Sequence, residues 1–196
     1  MKIPIFPLNG AVMFPKTNLP LNIFESRYID MVNYSLSKNR LIGMVQQRSN
    51  EQLYDVGCYG KITVFNETPD KRYLINLEGV NCFKIINEIE TNHEFRICEI
   101  ESFNNFCKNE LKEGLKTEIL KCYKKYNQFK NINISLDGIS ELNAADLLKL
   151  IVMISPFEVR LKQMFLELKS YKELYESVMS ALEIELASKE GVGSIN

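Results

Sequence analysis

The hydrophobic period changes once along the chain, and this change divides the sequence into two parts. Residues 40–103 contain short runs rich in β-branched and aromatic residues, separated by turn signals such as Thr68-Pro69-Asp70. These runs predict antiparallel hairpins. After Cys107 the apolar residues recur every three or four positions, which is typical of amphipathic helices. The sequence therefore predicts an α+β protein in which a β-rich part precedes a helical part.

The β-rich part is predicted to span residues 1–104 and to contain one helix. Residues 25–38 carry apolar side chains at helical spacing and form that helix, which we expect to lie across the sheet. Glycines near the strand ends, at Gly57, Gly60 and Gly79, favour bulges or sharp bends. They predict a small antiparallel sheet that curls toward a barrel.

The helical part is predicted to span residues 107–189, and residues 190–196 are expected to fray as a flexible tail. Asn143 is placed to cap a strongly apolar helix. Ser155 and Ser170 each precede a glutamate by three residues, which is the spacing of a capping box. We therefore predict that helices start at these two serines, with Pro156 at the first helical position of the earlier one.

Composition limits the partners and the compartment. The 196 residues include 24 Lys and Arg and 25 Asp and Glu, so a formal net charge of -1 gives no global positive field to attract nucleic acid or anionic lipid. The five cysteines contain no CxxC pair, which favours a reducing cytoplasm. No apolar run approaches the roughly 20 residues of a membrane span, and no signal-peptide pattern begins the chain. We expect a cytoplasmic protein with no membrane partner.

An ordered series of short motifs, most of them near the N-terminus, is the most specific signal in the sequence. In chain order the motifs are Phe6-Pro7-Leu8, Phe14-Pro15, Leu19-Pro20-Leu21, Ile23-Phe24-Glu25, Arg27-Tyr28, Val56-Gly57 and Gly79-Val80. The series resembles the N-terminal substrate-binding domain of Lon proteases in its stand-alone bacterial form, and the resemblance covers nearly the whole chain. It implies a β pseudo-barrel like the PUA fold, followed by a C-terminal α-helical bundle. Ser26 departs from the pattern, since many relatives have proline there.

The resemblance also implies a function. It predicts a non-catalytic module whose partner is unfolded or partly folded polypeptide, or a protease or other protein. A full Lon protease has an ATPase module and a Ser-Lys peptidase module after this domain, and we expect this chain to end before either. No cofactor is expected.

The residues themselves suggest no catalytic or metal site. The best P-loop candidate has Asn109 where the motif requires its first glycine, and a single histidine, His93, cannot form a multi-histidine metal site. No GxSxG motif is present, and Cys98 lies in a strand pattern that favours packing over reactivity. We predict neither ATP hydrolysis nor peptidase activity. A hydrolase with an unrecognised site is the third interpretation of the chain.

Four apolar or aromatic residues are candidates for contact with a polypeptide. Met13 and Phe14 lie in a proline-bracketed connection, where loops normally run over the surface. Tyr54 and Tyr59 flank a predicted turn at Val56-Gly57, at the end of another strand. If the curled sheet brings these segments together, they line one groove for an extended segment. The alternative is that Phe14 fills the open end of the barrel as a core residue.

One patch in the helical part favours a different class of partner. Lys121, Lys124 and Lys125 are interleaved with aromatic residues that include Tyr126, a pattern that can follow phosphates and stack bases. This gives the alternative interpretation, a PUA-like protein associated with nucleic acid. The competing interpretation places Tyr126 in a buried stripe and the lysines on the wet face of the helix. We expect the second arrangement, in which nucleic acid is not a partner.

Overall fold

The computed structural model describes residues 1–48, 50, 52–106, 111–132 and 139–187. Asn109 and the predicted tail over residues 190–196 lie outside this set. Among the described helices, none combines the length and apolar character needed to cross a membrane.

The helices and strands follow the predicted change of period. In chain order they are β1 (Lys2–Pro7), β2 (Asn18–Ile23), α1 (Ser26–Leu36), β3 (Leu41–Val45), β4 (Val56–Glu67), β5 (Tyr73–Ile89), β6 (Arg96–Phe103), α2 (Leu115–Phe129), a 3-10 turn (Ile139–Glu141), α3 (Ala144–Ile154), α4 (Val159–Glu167) and α5 (Tyr171–Ala187).

The chain divides into two compact units. The first, called the sheet unit here, contains Met1–Asn105 together with Pro156–Glu167. The second, called the helical unit, contains Phe106–Ser155 and Leu168–Asn196. The predicted helical part, residues 107–189, included the segment that holds α4, whereas the structure groups this segment with the sheet.

Five strands of the sheet unit close into a ring. The order is β5-β4-β3-β1-β6, β6 pairs back to β5, and β2 joins the outer side of β5. The prediction of an antiparallel barrel needs one correction, because β1 and β3 are parallel. Each antiparallel pairing reverses the strand direction, so a closed ring with an odd number of strands must contain at least one parallel pair.

Gly79 lies where β5 changes neighbours, between the residues that pair with β2 and those that pair with β6. A Cβ atom at this position would stand 2.1 Å from the carbonyl oxygen of Phe14, so the connection between β1 and β2 crosses the sheet against this glycine. The Gly79 N–H donates to Thr17 O at 2.8 Å, and Lys16 N–H donates to Gly79 O at 2.7 Å. The register of β4 against β5 also shifts between Tyr59 and Gly60, which confirms a predicted bulge.

Helix α1 begins and ends close to the predicted bounds and buries one face. Tyr28, Met31 and Val32, which recur at helical spacing, are all buried. Glu25 precedes the helix in an extended conformation, and Ser26 is its first residue. Proline is favoured at this first helical position, and serine also fits the first turn of a helix.

Buried polar side chains attach α4 to the sheet. Gln163 Nε2 donates to Val56 O at 3.0 Å, and Lys162 Nζ donates to Gly10 O at 2.8 Å. The Gln46 amide donates to Gln163 Oε1 at 3.2 Å. Buried polar groups are costly unless they are hydrogen-bonded, so these long-range bonds define the partner of α4. The predicted start of this helix at Pro156 was three residues early.

The helical unit contains α2, α3 and α5, whose apolar faces pack on one another. The Asn143 side chain accepts a hydrogen bond from Asp146 N at 2.9 Å, as the predicted cap requires. Ser170 Oγ accepts from Glu173 N at 3.2 Å, which confirms the helix start predicted there.

Candidate functional site

Met13 and Phe14 are core residues of the sheet unit. Their exposed fractions are 1% and 0%. The turn around Phe14 is closed by Thr17, whose Oγ1 accepts from Phe14 N at 3.2 Å and donates to Phe14 O at 2.7 Å. Neither side chain is exposed, so their burial does not fit the hypothesis that Met13 and Phe14 contact a bound polypeptide. The burial of Phe14 agrees with the alternative interpretation, in which Phe14 is a core residue.

Tyr54 and Tyr59 are half-buried. Both pack on a cluster of buried residues formed by Ile3, Ile5, Val45, Phe83, Cys98 and Ile100. The Arg48 guanidinium lies over the Tyr54 ring at 4.9 Å, and the Tyr59 and Phe83 rings are 6.3 Å apart. The structure therefore brings the two tyrosines to one cluster, to which Met13 and Phe14 do not belong.

A cleft of about 530 Å³ opens beside Tyr54. Leu53 and Ile85 add apolar surface to it, and the Arg96–Glu88 ion pair, 3.6 Å long, lies at its lining. Cys98 also borders this cleft, but its thiol is buried, and burial and the nearby Glu88 carboxylate raise the pKa of the thiol to about 11. The thiol therefore stays protonated at neutral pH and is a poor nucleophile.

A second cleft, of about 510 Å³, lies where β2 meets α1. Phe6 and Tyr28 form part of its apolar wall, with ring centroids 4.5 Å apart in an edge-on arrangement. Phe24 also lines the cleft and is 66% exposed. The Arg27–Glu25 ion pair, 2.8 Å long, belongs to the polar part of the lining. We call this feature the Phe24 cleft.

The exposure of Phe24 follows from its place in the chain. Ile23 ends β2 and is buried, with 2% of its surface exposed. Successive side chains of a strand point to opposite faces, so the residue after Ile23 faces away from the core. Helix α1 then begins only two residues later. Phe24 was part of the predicted motif series but not of the predicted binding residues, and this alternation was the signal that could have identified it.

The basic patch on α2 separates into two faces. Lys121, Lys124 and Lys125 are exposed, whereas Tyr126 is 0% exposed and its hydroxyl donates to Glu185 Oε2 at 3.2 Å. A buried ring cannot stack on a base, so Tyr126 does not supply the stacking surface that the nucleic-acid interpretation requires. The structure agrees with the competing interpretation, in which Tyr126 belongs to a buried stripe and the lysines lie on the exposed face of α2.

The described residues offer little for catalysis. No group of three or more His, Cys, Asp or Glu side chains within the described ranges is arranged to hold a metal ion. The His93 ring stacks on Phe95, with centroids 4.6 Å apart, in the turn between β5 and β6. Cys58 and Cys82 lie opposite each other on β4 and β5, both buried and not joined by a disulfide.

Comparison with known proteins places these features in a family. The family described as the ATP-dependent protease La (LON) substrate-binding domain matches residues 2–183. The chain belongs to this family. It is 25% identical to the Lon protease of Buchnera aphidicola subsp. Baizongia pistaciae, over 95% of this chain and 25% of that relative. It is 26% identical to the Lon protease of Desulfosudis oleivorans, over 62% of this chain and 16% of that relative.

Solved structures of Lon N-terminal domains share the fold. The Lon N-terminal domain protein from Xanthomonas campestris superposes with a TM-score of 0.70 at 16% identity, covering 92% of this chain and 98% of that chain. The N-terminal domain of Mycobacterium avium complex Lon protease gives a TM-score of 0.70 at 12% identity, with 93% and 98% coverage. The chain spans a quarter or less of the length of the two Lon proteases compared above.

Proposed function

We infer that this Lon substrate-binding domain binds unfolded or partly folded polypeptide and catalyses no reaction itself. The observation that carries the proposal is Phe24, a large aromatic side chain that is 66% exposed beside an apolar cleft. Aromatic residues in partly apolar pockets supply much of the energy of protein interfaces. Burying the exposed part of Phe24 against a client would contribute about 1–2 kcal/mol.

The size and charge of the Phe24 cleft suit a polypeptide of variable sequence. Its volume of about 510 Å³ accepts one or two apolar side chains. The polar lining carries both signs of charge, through Glu25, Arg27, Glu94 and Arg96. A rim of mixed sign favours no single kind of charged client, so the apolar side chain of the client is the main determinant of affinity.

The absence of catalysis is supported by the chemistry of the described side chains. The Cys98 thiol is buried beside a cleft, and its pKa of about 11 means that it is protonated at neutral pH. His93 lies in a turn and its ring stacks on Phe95. The proposal therefore assigns recognition of a client to this domain and assigns no bond-breaking step to it.

Fluorescence anisotropy with labelled, reduced and carboxymethylated α-lactalbumin, a permanently unfolded protein, tests the proposal. We expect Phe24→Ala to weaken binding about five- to thirtyfold, the equivalent of about 1–2 kcal/mol. The variant should keep its stability within about 0.5 kcal/mol, because the side chain is mostly exposed.

Ile184→Ala is the matched control, since Ile184 is 68% exposed on α5 and should not affect binding. If the wild-type domain does not bind the unfolded protein, or if Phe24→Ala binds as tightly as the wild type, the proposal fails. An equal loss in both variants would also contradict it, because the effect would not be specific to the cleft.

A further inference from the structure

Part of the sheet extends beyond the barrel as a three-stranded arm. The arm consists of β2, the second half of β4 (residues 62–67) and the first half of β5 (residues 73–78). β3 pairs with β4 only up to Lys61, and the last bond on that side joins Ile62 N to Arg40 O at 2.9 Å. The arm therefore has two outer edges, β2 on one side and residues 63–67 of β4 on the other.

The edge of β2 is protected by a proline. Gly79 N donates to Thr17 O, and antiparallel pairs alternate between bonded and non-bonded positions. Pro20 pairs with Asn76, three positions along the register from that bond, and this alternation makes it a non-bonded pair. The backbone nitrogen of Pro20, which has no hydrogen to donate, therefore faces the outer edge of β2. Proline at this position is a common device against pairing with another chain.

The edge of β4 has no such protection. Thr68 N donates to Arg72 O at 2.9 Å, and the same alternation turns the backbone N–H and C=O groups of Phe65 and Glu67 away from β5. Residues 63–67 contain no proline, and all of them are exposed. This segment is therefore able to form a hydrogen-bonded ladder with an added strand.

Both faces of the arm beside this edge carry exposed apolar side chains. On one face Phe65, 42% exposed, contacts Tyr73 with ring centroids 4.9 Å apart. On the other face Val64 and Leu74 are 57% and 41% exposed. An added strand with apolar side chains would bury surface on whichever face those side chains take.

The charge near the edge indicates which end of the added strand lies where. A strand antiparallel to β4 continues the line of β3, so its carboxyl end comes next to Arg40, close in sequence to Lys38. Neither cation forms an ion pair with a described carboxylate. Lys38 contacts the Tyr34 side chain, but a carboxylate at that end of the strand would be the first described acidic partner of either cation.

We propose that residues 63–67 of β4 bind an extended, apolar segment of a client polypeptide by β-augmentation, with an acidic group at the carboxyl end of the segment next to Arg40. The inference rests on the proposed function and deepens it. Main-chain hydrogen bonds to β4 supply affinity without reading sequence, and the apolar side chains of the arm add to it. This mode of binding suits a domain whose clients are unfolded, since unfolded chains present free backbone groups along their length.

The first test uses the wild-type chain and labelled ten-residue peptides of alternating valine and threonine that end in two aspartates. One peptide is unmodified, one is N-methylated on alternate residues so that one hydrogen-bonding edge is blocked, and one is N-methylated throughout. We expect the affinities of the first two peptides to agree within about threefold. The affinity of the third should be at least about tenfold lower, because neither of its edges can donate backbone hydrogen bonds. Similar affinity for all three peptides would overturn the inference.

The second test changes the edge itself. Phe65→Pro removes an outward N–H without breaking the ladder to β5. It should lower the affinity for the unmodified peptide at least about tenfold. Phe65→Thr keeps the N–H and separates the loss of the ring from the loss of the hydrogen bond, so it should weaken binding less. Arg40→Asn, tolerated at its positive φ of 62°, should abolish the preference for aspartate over asparagine at the peptide end.

The two proposals fail in different ways. If the wild type binds unfolded α-lactalbumin but is indifferent to N-methylation, the β4 edge is not the site and the proposed function stands. Equal affinities of Phe65→Pro and Phe65→Thr, in folded variants, would also overturn the inference. If neither α-lactalbumin nor the peptides bind, both proposals are overturned.

Discussion

Phe14 and Phe24 lie ten residues apart in the same proline-rich segment, yet their environments are opposite. Phe14 is 0% exposed and Phe24 is 66% exposed. Phe14 lies in a connection between two strands, and Phe24 lies at a junction between a strand and a helix. The burial of a large aromatic residue therefore depends on how the neighbouring strands pack against it, and not on whether the residue belongs to a loop.

Phe14 is buried because its loop crosses the sheet where β5 exchanges β2 for β6. At that point Gly79 allows the backbone of the loop to approach closely. Phe24 is exposed because Ile23, the preceding residue, takes the inward position at the end of β2. The following predictions test this contrast, from the largest expected effect to the smallest.

The largest effect is expected from Phe14→Ala. Removing a fully buried phenylalanine should lower the free energy of unfolding by about 3–5 kcal/mol, because it creates a cavity as well as losing buried area. Urea denaturation of this variant beside Phe24→Ala measures the contrast directly. A loss below about 1 kcal/mol at Phe14 would show that the side chain is not part of the core.

A second test addresses the close approach at Gly79. Gly79→Ala should cost about 2 kcal/mol or more, because the new Cβ would meet the Phe14 carbonyl oxygen at 2.1 Å and a backbone atom cannot yield easily. Gly114→Ala is the control, since nothing lies within 4 Å of a Cβ there and its φ of -57° suits any residue. We expect this control to be neutral or slightly stabilising. Equal stability of the two variants in thermal denaturation would refute the proposed crossing.

Thr17→Val examines the hydrogen bonds that close the turn around Phe14. The substitution keeps the shape of the side chain but removes both bonds of Oγ1 to the Phe14 backbone. We expect a loss of about 1–2 kcal/mol in unfolding free energy. Thr117→Val, on the exposed face of α2, should change stability by less than about 0.5 kcal/mol. A Thr17 variant as stable as this control would mean that the turn does not hold Phe14 in place.

The smallest effect is expected from raising the pH. The pKa of Cys98 is raised from 9.0 to about 11, mainly by burial. Below pH 9 the thiol is neutral in both the folded and the unfolded state, so it adds no pH dependence. Between pH 9 and 11 the unfolded thiol ionises first, which lowers the free energy of unfolding by roughly 1 kcal/mol at pH 10.

Urea denaturation of the wild type and of Cys98→Ala at pH 7, 9 and 10 isolates this effect. The variant should lose less stability than the wild type as the pH rises. Buried tyrosines whose pKa is also raised, such as Tyr28 beside the Phe24 cleft, make the same kind of contribution at higher pH in both proteins. Parallel pH profiles for the two proteins would contradict the assignment to Cys98.

Local signals predicted much of the fold. The spacing of Tyr28, Met31 and Val32 predicted α1, and Asn143 and Ser170 predicted two helix starts, because helical periods and caps involve residues only a few positions apart. The candidate site was predicted less well. Tyr54 does line a cleft, but Met13 and Phe14 do not reach the surface, and Phe24 was not among the predicted contacts.

The sequence by itself determined the change from strand to helical period, the turns and caps, and the motif series that marks the Lon substrate-binding family. Tertiary structure alone decided that the ring of strands contains a parallel pair, that α4 belongs to the sheet unit, and that Phe14 is buried while Phe24 is exposed. The physical reason is the separation along the sequence of the residues that interact. Periods and caps arise from neighbours along the chain, whereas ring closure and burial depend on contacts between segments that are far apart in sequence.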